Sequence, residues 1–167
     1  MYTDSKLSFC EHVERLLLSV QSQRLYLLSQ LRKQNLPDKC VGIVYDAIVL
    51  SKVLYALSAW GGYISQSLKD RIDACFRKAY RWRLTSTQYK FDNLLFSMDS
   101  KLFAGRLHCL HHMLSPGQSS SQMILRSRGH SFVVPRVTYK TTKRSFLMRC
   151  LCREKSVLLG LGCPADV

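Results

Sequence analysis

Acidic residues are scarce in this chain of 167 residues. Eleven Asp and Glu oppose 25 Lys and Arg, which gives a formal net charge of +14 at pH 7. An excess of this size bears on partners and solubility rather than on fold. It is also uneven, because residues 101–155 hold eleven basic side chains and one acidic one, Glu154. The composition therefore predicts a polyanionic partner, with nucleic acid first and an anionic membrane surface second.

A long uncharged apolar run is also missing. The most apolar stretch, 47–64, contains Lys52 and directly follows Asp46, whereas a transmembrane helix needs about 20 predominantly apolar residues. We expect this stretch to be a buried helix and predict no membrane span. The first residues show no apolar run of a secretory signal, so we expect a nuclear or cytoplasmic protein and not a secreted one.

Seven cysteines are present, but without the spacings of a disulfide framework or of a zinc site. Scattered cysteines in an odd number predict reduced thiols. The residue types that bind metals are densest at His108, Cys109, His111 and His112, with Cys150 and Cys152 further along. No Cys-x-x-Cys pair occurs among them, so we predict no zinc site and expect the histidines to line a helix face.

Apolar residues recur at three- and four-residue steps, which predicts helices over 8–34, 38–59 and about 65–84. Two shorter helices are expected over 90–114, with a break near Asp99, and a last one over about 143–153. Pro116-Gly117 marks the clearest loop, and Pro135 makes its surroundings an edge strand or an extended arm. The predicted fold class is mainly α, with a small helical bundle over 1–114, a loop over 115–123 and an irregular basic C-terminal extension over 124–167.

Basic side chains form two notable groups. The third predicted helix places some of them opposite its apolar arc, which consists of Leu68, Ile72, Cys75, Phe76, Ala79 and Trp82. This cationic face is either solvated or a surface for phosphate. The second group begins at Arg126 and either binds phosphate through guanidinium groups or packs locally against a helix. The predicted nucleic-acid-binding residues are Arg77, Lys78, Arg81, Arg126, Arg128, His130, Arg136, Lys140, Lys143, Arg144 and Arg149.

Two aromatic residues of the second predicted helix allow two interpretations. Tyr55 and Trp60 could stack on bases, as aromatic side chains do in single-strand binding proteins. The apolar character of the helix favours the other interpretation, in which both side chains belong to the core.

Five peptides carry a family resemblance through their order and spacing. They are LYLLSQLRKQNLPDK at 25–39, AIVLSKVLYALSAWGGY at 47–63, DSKLF at 99–103, HCLHHML at 108–114 and LRSRGHSF at 125–132. Together they resemble the C-terminal part of the reverse transcriptase of LINE-type, jockey-like retrotransposons, downstream of the polymerase palm. The resemblance covers roughly residues 7–152. It departs from the family pattern at Asn35, where Gly is expected, and at Ser115, where Leu is expected.

The resemblance implies thumb-like helices that hold nucleic acid, either an RNA–DNA hybrid or RNA. The aspartate pair of the polymerase turn, F/Y-x-D-D, is absent from the sequence. Polymerisation needs carboxylates that hold two Mg²⁺ ions, and Asp92 and Asp99, seven residues apart, offer no such pair. We therefore expect a C-terminal piece of an RNA-directed DNA polymerase that is no enzyme on its own and holds no cofactor, since Mg²⁺ would belong to the palm. The alternative is a small basic helical adaptor that contacts a protein partner or an anionic membrane.

Overall fold

A computed structural model of the chain describes residues 9–104, 113, 132 and 134–159, with the side chains of 153–159 left aside. Of the interpretable residues, 74% are helical and none forms a strand, so the predicted mainly α class is confirmed. The chain divides into two compact units between Met98 and Asp99. The domain boundaries predicted at 114 and 123 lie outside the described residues.

The first unit consists of helices joined by short turns. Two of its helical segments contain a π-helical turn, at Val20–Arg24 and at Asp46–Leu50. The helices of this unit are α1 (Cys10–Ser19), α2 (Leu25–Lys33), α3 (Asp38–Tyr45), α4 (Ser51–Leu54), α5 (Leu57–Trp60), α6 (Gln66–Arg81) and the first part of α7 (Phe91–Ala104).

One hydrophobic core joins these helices. Its largest fully buried side chains are Trp60, Tyr45, Phe76 and Phe91. The Trp60 indole Nε1 donates a hydrogen bond of 2.9 Å to the Tyr55 carbonyl oxygen, so its polar atom is satisfied inside the core. Trp60 thus occupies the core position that its apolar context predicts.

The π turn at Val20–Arg24 changes which leucines reach the core. A π turn holds about one residue more than an α turn, and one residue corresponds to about 100° of helix rotation. Leu25 and Leu28 are therefore buried, whereas Leu27, which the regular apolar spacing placed on the core face, is 55% exposed. The prediction of Leu27 as a core residue was wrong because regular three- and four-residue spacing does not account for the residue that the π turn inserts before it.

The segment predicted as one buried helix over 38–59 is buried along one line only. That line repeats every four residues, at Val41, Tyr45, Val49, Val53 and Leu57. A four-residue step overshoots an α-helical turn by about 40°, and the π turn at Asp46–Leu50 offsets this drift. The opposite side is exposed, and 28% of the most apolar 18-residue window is buried. By length and composition Asp38–Trp60 could also cross a bilayer, a property that core helices of soluble proteins share.

The same segment breaks between α4 and α5. Ala56 adopts a left-handed backbone conformation with φ of 51°, and the break leaves Tyr55 64% exposed. The prediction of Tyr55 as a core residue was therefore wrong. That prediction rested on the apolar character of the helix, but α4 ends one residue before Tyr55, at Leu54.

The described part of the second unit contains the end of α7 and the helices α8 (Lys140–Lys143) and α9 (Phe146–Leu159). The expected helix break near Asp99 was wrong, because α7 continues through this residue to Ala104. Residues 134–139 have no regular secondary structure, which fits the extended-arm alternative. The last helix begins and ends later than predicted.

Candidate nucleic-acid interface

Helix α6 separates an apolar face from a basic one, as its sequence predicts. Five members of the predicted apolar arc are buried: Leu68, Ile72, Cys75, Phe76 and Ala79. The sixth, Trp82, is 43% exposed because the helix ends at Arg81 and the tryptophan follows it. The Lys78 Nζ lies 4.6 Å from the centroid of the Trp82 ring, a cation–π contact on the surface.

Basic side chains near the start of α6 are paired with carboxylates. Lys69 forms an ion pair of 3.1 Å with Asp92, and Arg71 lies 3.8 Å from Glu14. A further carboxylate, that of Asp73, accepts a hydrogen bond of 2.8 Å from the backbone N–H of Phe91 at the start of α7. The carboxylates around this end of α6 are thus largely engaged.

The C-terminal half of α6 is different. Between residues 74 and 91 the sequence contains no Asp or Glu. Arg77 and Arg81 are exposed, and within the described part of the chain neither forms an ion pair. Arg83 is likewise exposed and unpaired there. The structure thus presents the predicted Arg77 and Arg81 to solvent and adds Arg83 to them.

The carbonyl groups at the end of α6 have hydrogen-bond partners. Arg83 adopts a left-handed φ of 52°, and its N–H donates to the Tyr80 carbonyl oxygen at 2.9 Å. The N–H of Leu84 donates to the Ala79 carbonyl oxygen at 3.0 Å, which completes a Schellman motif. The Arg32 guanidinium donates to the Trp82 carbonyl oxygen. These donors pair with the carbonyl oxygens at the negative end of the helix dipole, so the C-terminus of α6, which carries the exposed arginines, is capped.

A groove lies between the end of α6 with its following loop and the start of α3. Its volume is about 780 Å³. The Tyr89 hydroxyl donates a hydrogen bond of 3.0 Å to Asp46 Oδ1 across it, and burial, with this bond, raises the pKa of Tyr89. The lining residues are Asp38, Lys39, Gly42, Ile43, Asp46, Tyr80, Arg81, Arg83, Thr85, Ser86, Thr87 and Tyr89.

Sequence reasoning identified Arg81 but not this groove. The two walls are about 40 residues apart in sequence, and no motif connects them. The only local signal is the polar stretch from Thr85 to Lys90, which reads as an ordinary loop.

In the second unit, four of the predicted residues are exposed: Arg136, Lys140, Lys143 and Arg144. No Asp or Glu occurs between residues 134 and 153. Tyr139, which directly precedes α8 and lies among these residues in the sequence, is 75% exposed. This segment offers a second cationic surface with an aromatic side chain.

Arg149 has a different environment. Its Nε and Nη2 donate hydrogen bonds of 3.0 Å each to the two carboxylate oxygens of Asp99. Its Nη1 donates to the Arg144 carbonyl oxygen at 2.6 Å. The Arg149 side chain is 10% exposed and that of Asp99 is 3% exposed. A guanidinium engaged in this way serves packing, and we leave it out of the proposed binding surface.

Three predicted site residues, Arg126, Arg128 and His130, lie outside the described residues, as do His108, Cys109, His111 and His112. Among the described residues, no three His, Cys, Asp or Glu side chains are grouped so that they could hold a metal ion. Cys150 is buried and Cys152 is exposed.

Comparisons with protein-family models, with curated proteins and with solved structures give no match.

Proposed function

We propose that this chain binds nucleic acid through its phosphate backbone, as the thumb-like C-terminal piece of a retrotransposon RNA-directed DNA polymerase. The observation that carries the proposal is the solvent-facing side of α6. There, Arg77 and Arg81 are exposed, one helical turn apart, in a stretch without any carboxylate. Residues 136–144 supply a second cationic segment in the other unit.

The chemistry of these side chains supports a phosphate ligand. Guanidinium groups match phosphate oxygens with paired N–H donors, and exposed cations release counterions from a polyanion when they bind it. Such contacts fix orientation but carry no sequence information. We therefore propose binding of low sequence specificity, with the preference for an RNA–DNA hybrid coming from the family resemblance.

The proposal assigns no polymerase reaction to the chain alone. The pairing of Asp92 with Lys69 and of Asp99 with Arg149 supports assigning the metal-binding carboxylates to another part of the polymerase. In the proposed function the Mg²⁺ ions belong to the palm of the polymerase, and this chain holds the substrate.

A second candidate function is an adaptor that contacts a protein or an anionic membrane. The observation that favours it is the exposed apolar side of the segment Asp38–Trp60, where Ile43 is 62% exposed. Binding to anionic vesicles, driven by this apolar side as well as by charge, would distinguish it from nucleic-acid binding.

Charge reversal on α6 tests the proposal. We expect Arg77→Glu to weaken binding to a short RNA–DNA hybrid about tenfold at low salt, because one phosphate contact is lost and a repulsive charge replaces it. Binding is measured by fluorescence anisotropy on a labelled hybrid. The matched control is Lys52→Glu, which makes the same change in net charge at an exposed position of α4.

We expect the control to retain most of the affinity. Equal losses in both variants would show that only net charge matters, and the assignment of α6 as the binding face would then be wrong.

A further inference from the structure

The groove beside α6 combines three kinds of side chain. Tyr80 and Ile43 give it exposed apolar surface, with the tyrosine 45% exposed. Positive charge comes from Lys39, Arg81 and Arg83. The loop after α6 contributes three hydroxyl-bearing residues: Thr85, Ser86 and Thr87. Aromatic side chains interleaved with cations are typical of surfaces that bind single-stranded nucleic acid.

The size and charge of the groove suit an unpaired strand better than a duplex. Its volume of about 780 Å³ falls within the range of roughly 300–1,000 Å³ found for small-ligand sites. Its lining also contains two carboxylates, those of Asp38 and Asp46. These carboxylates would repel a ligand that presents only phosphates. The amino groups of an unpaired base, in contrast, can donate hydrogen bonds to a carboxylate.

Arg81 connects this groove to the proposed duplex surface. It lies on the solvent-facing side of α6, near Arg77, and it also lines the groove. A strand that leaves a duplex held on α6 would therefore meet the groove without crossing an uncharged surface.

Building on the proposed nucleic-acid function, we propose that the groove binds the unpaired single-stranded tail of a nucleic acid whose duplex part lies on α6. In this arrangement one base stacks on the ring of Tyr80. Arg81 and Arg83 hold the adjacent phosphates, and the carboxylate of Asp38 accepts hydrogen bonds from base amino groups. The Asp46 carboxylate remains bound to the Tyr89 hydroxyl.

The test compares a blunt RNA–DNA hybrid with the same hybrid carrying a four-nucleotide single-stranded tail. We expect the full chain to bind the tailed hybrid about tenfold more tightly, the scale that stacking of one base supplies. In Tyr80→Leu the ratio of the two dissociation constants should fall to about one. The matched control is Tyr26→Leu, a change at an exposed tyrosine of α2 that does not line the groove, which should keep the tenfold ratio.

A second variant tests the groove without removing an aromatic ring. A Cβ added at Gly42 would meet no atom within 4 Å. Because Gly42 lines the groove, Gly42→Leu should fill part of it and also abolish the preference for the tail. A preference that survives both Tyr80→Leu and Gly42→Leu would overturn the inference.

The two proposals fail in different ways. If the blunt hybrid does not bind at all, a labelled single strand is titrated alone: weakening by Tyr80→Leu and Gly42→Leu supports the groove while the duplex surface fails. If the blunt hybrid binds and Arg77→Glu weakens it, but the tail adds no affinity, the α6 surface stands and the groove assignment is wrong.

Discussion

Asp99 and Arg149 form the most deeply buried ion pair among the described residues. Both carboxylate oxygens accept a guanidinium N–H, so the pair has the bidentate geometry that makes such contacts strong and specific. The Cys150 Sγ also lies 3.9 Å from the Asp99 carbonyl oxygen. In a basic segment, sequence alone does not separate an arginine that faces solvent from one that holds a buried carboxylate 50 residues away.

We predict that Arg149→Ala destabilises the second unit by about 3–5 kcal/mol, because it leaves the Asp99 carboxylate buried without its main cationic partner. The loss is measured by urea denaturation and by hydrogen exchange of the α9 amides. The control, Arg144→Ala, shortens an exposed side chain and should change stability by less than about 0.5 kcal/mol. If Arg149→Ala leaves stability unchanged but weakens nucleic-acid binding, Arg149 belongs to the binding surface and its structural role is wrong.

At the scale of the helical elements, α2 and α6 are each followed by a residue in a left-handed backbone conformation. Asn35 has φ of 60° and closes α2 with the same pair of hydrogen bonds that Arg83 makes at the end of α6. Asparagine tolerates this conformation better than most residues, so it can stand at a position where glycine is the commonest residue. Arginine has no such advantage, and the cost at Arg83 is about 1–2 kcal/mol relative to glycine before chain entropy is considered.

We predict that Arg83→Gly raises the free energy of unfolding by about 0.5–1 kcal/mol, because relief of the left-handed conformation exceeds the extra entropy of the unfolded chain. Thermal or urea denaturation measures the change. The control is Lys33→Gly, at the last helical position of α2, which should lower the free energy of unfolding by a similar amount. A destabilised Arg83→Gly would mean that the arginine side chain stabilises the loop by contacts that outweigh its backbone cost.

Sequence periodicity predicted the positions of the helices along the chain better than it predicted which side of each helix faces the core. The span of α6 and the burial of Leu68 to Ala79 follow from regular three- and four-residue spacing. The π turns were missed, because one inserted residue shifts the core face without changing composition. The burial of Tyr55 was mispredicted because the apolar character of the segment does not reveal the helix break at Ala56. The groove beside α6 could not be predicted, since it depends on how the start of α3 meets the loop after α6.

At the scale of the whole molecule, charge is the property that sequence predicted most directly. The excess of basic residues was evident from composition, and the described parts of both units display exposed cations in stretches free of carboxylates. The structure separates the basic residues that are paired with carboxylates from those that are exposed to solvent. Lys69 and Arg149 are engaged with carboxylates. The exposed cations include Arg77, Arg81, Arg136, Lys140, Lys143 and Arg144.

The salt dependence of duplex binding by the full chain tests the central claim most directly. Five or six phosphate contacts predict that the logarithm of the association constant falls with the logarithm of salt concentration with a slope of about −5, using the coefficient for B-form DNA. The slope should be nearly independent of duplex sequence, because backbone contacts carry no sequence information. A slope near zero, or retention on anionic vesicles without measurable binding to an RNA–DNA hybrid, would contradict the account and favour the adaptor.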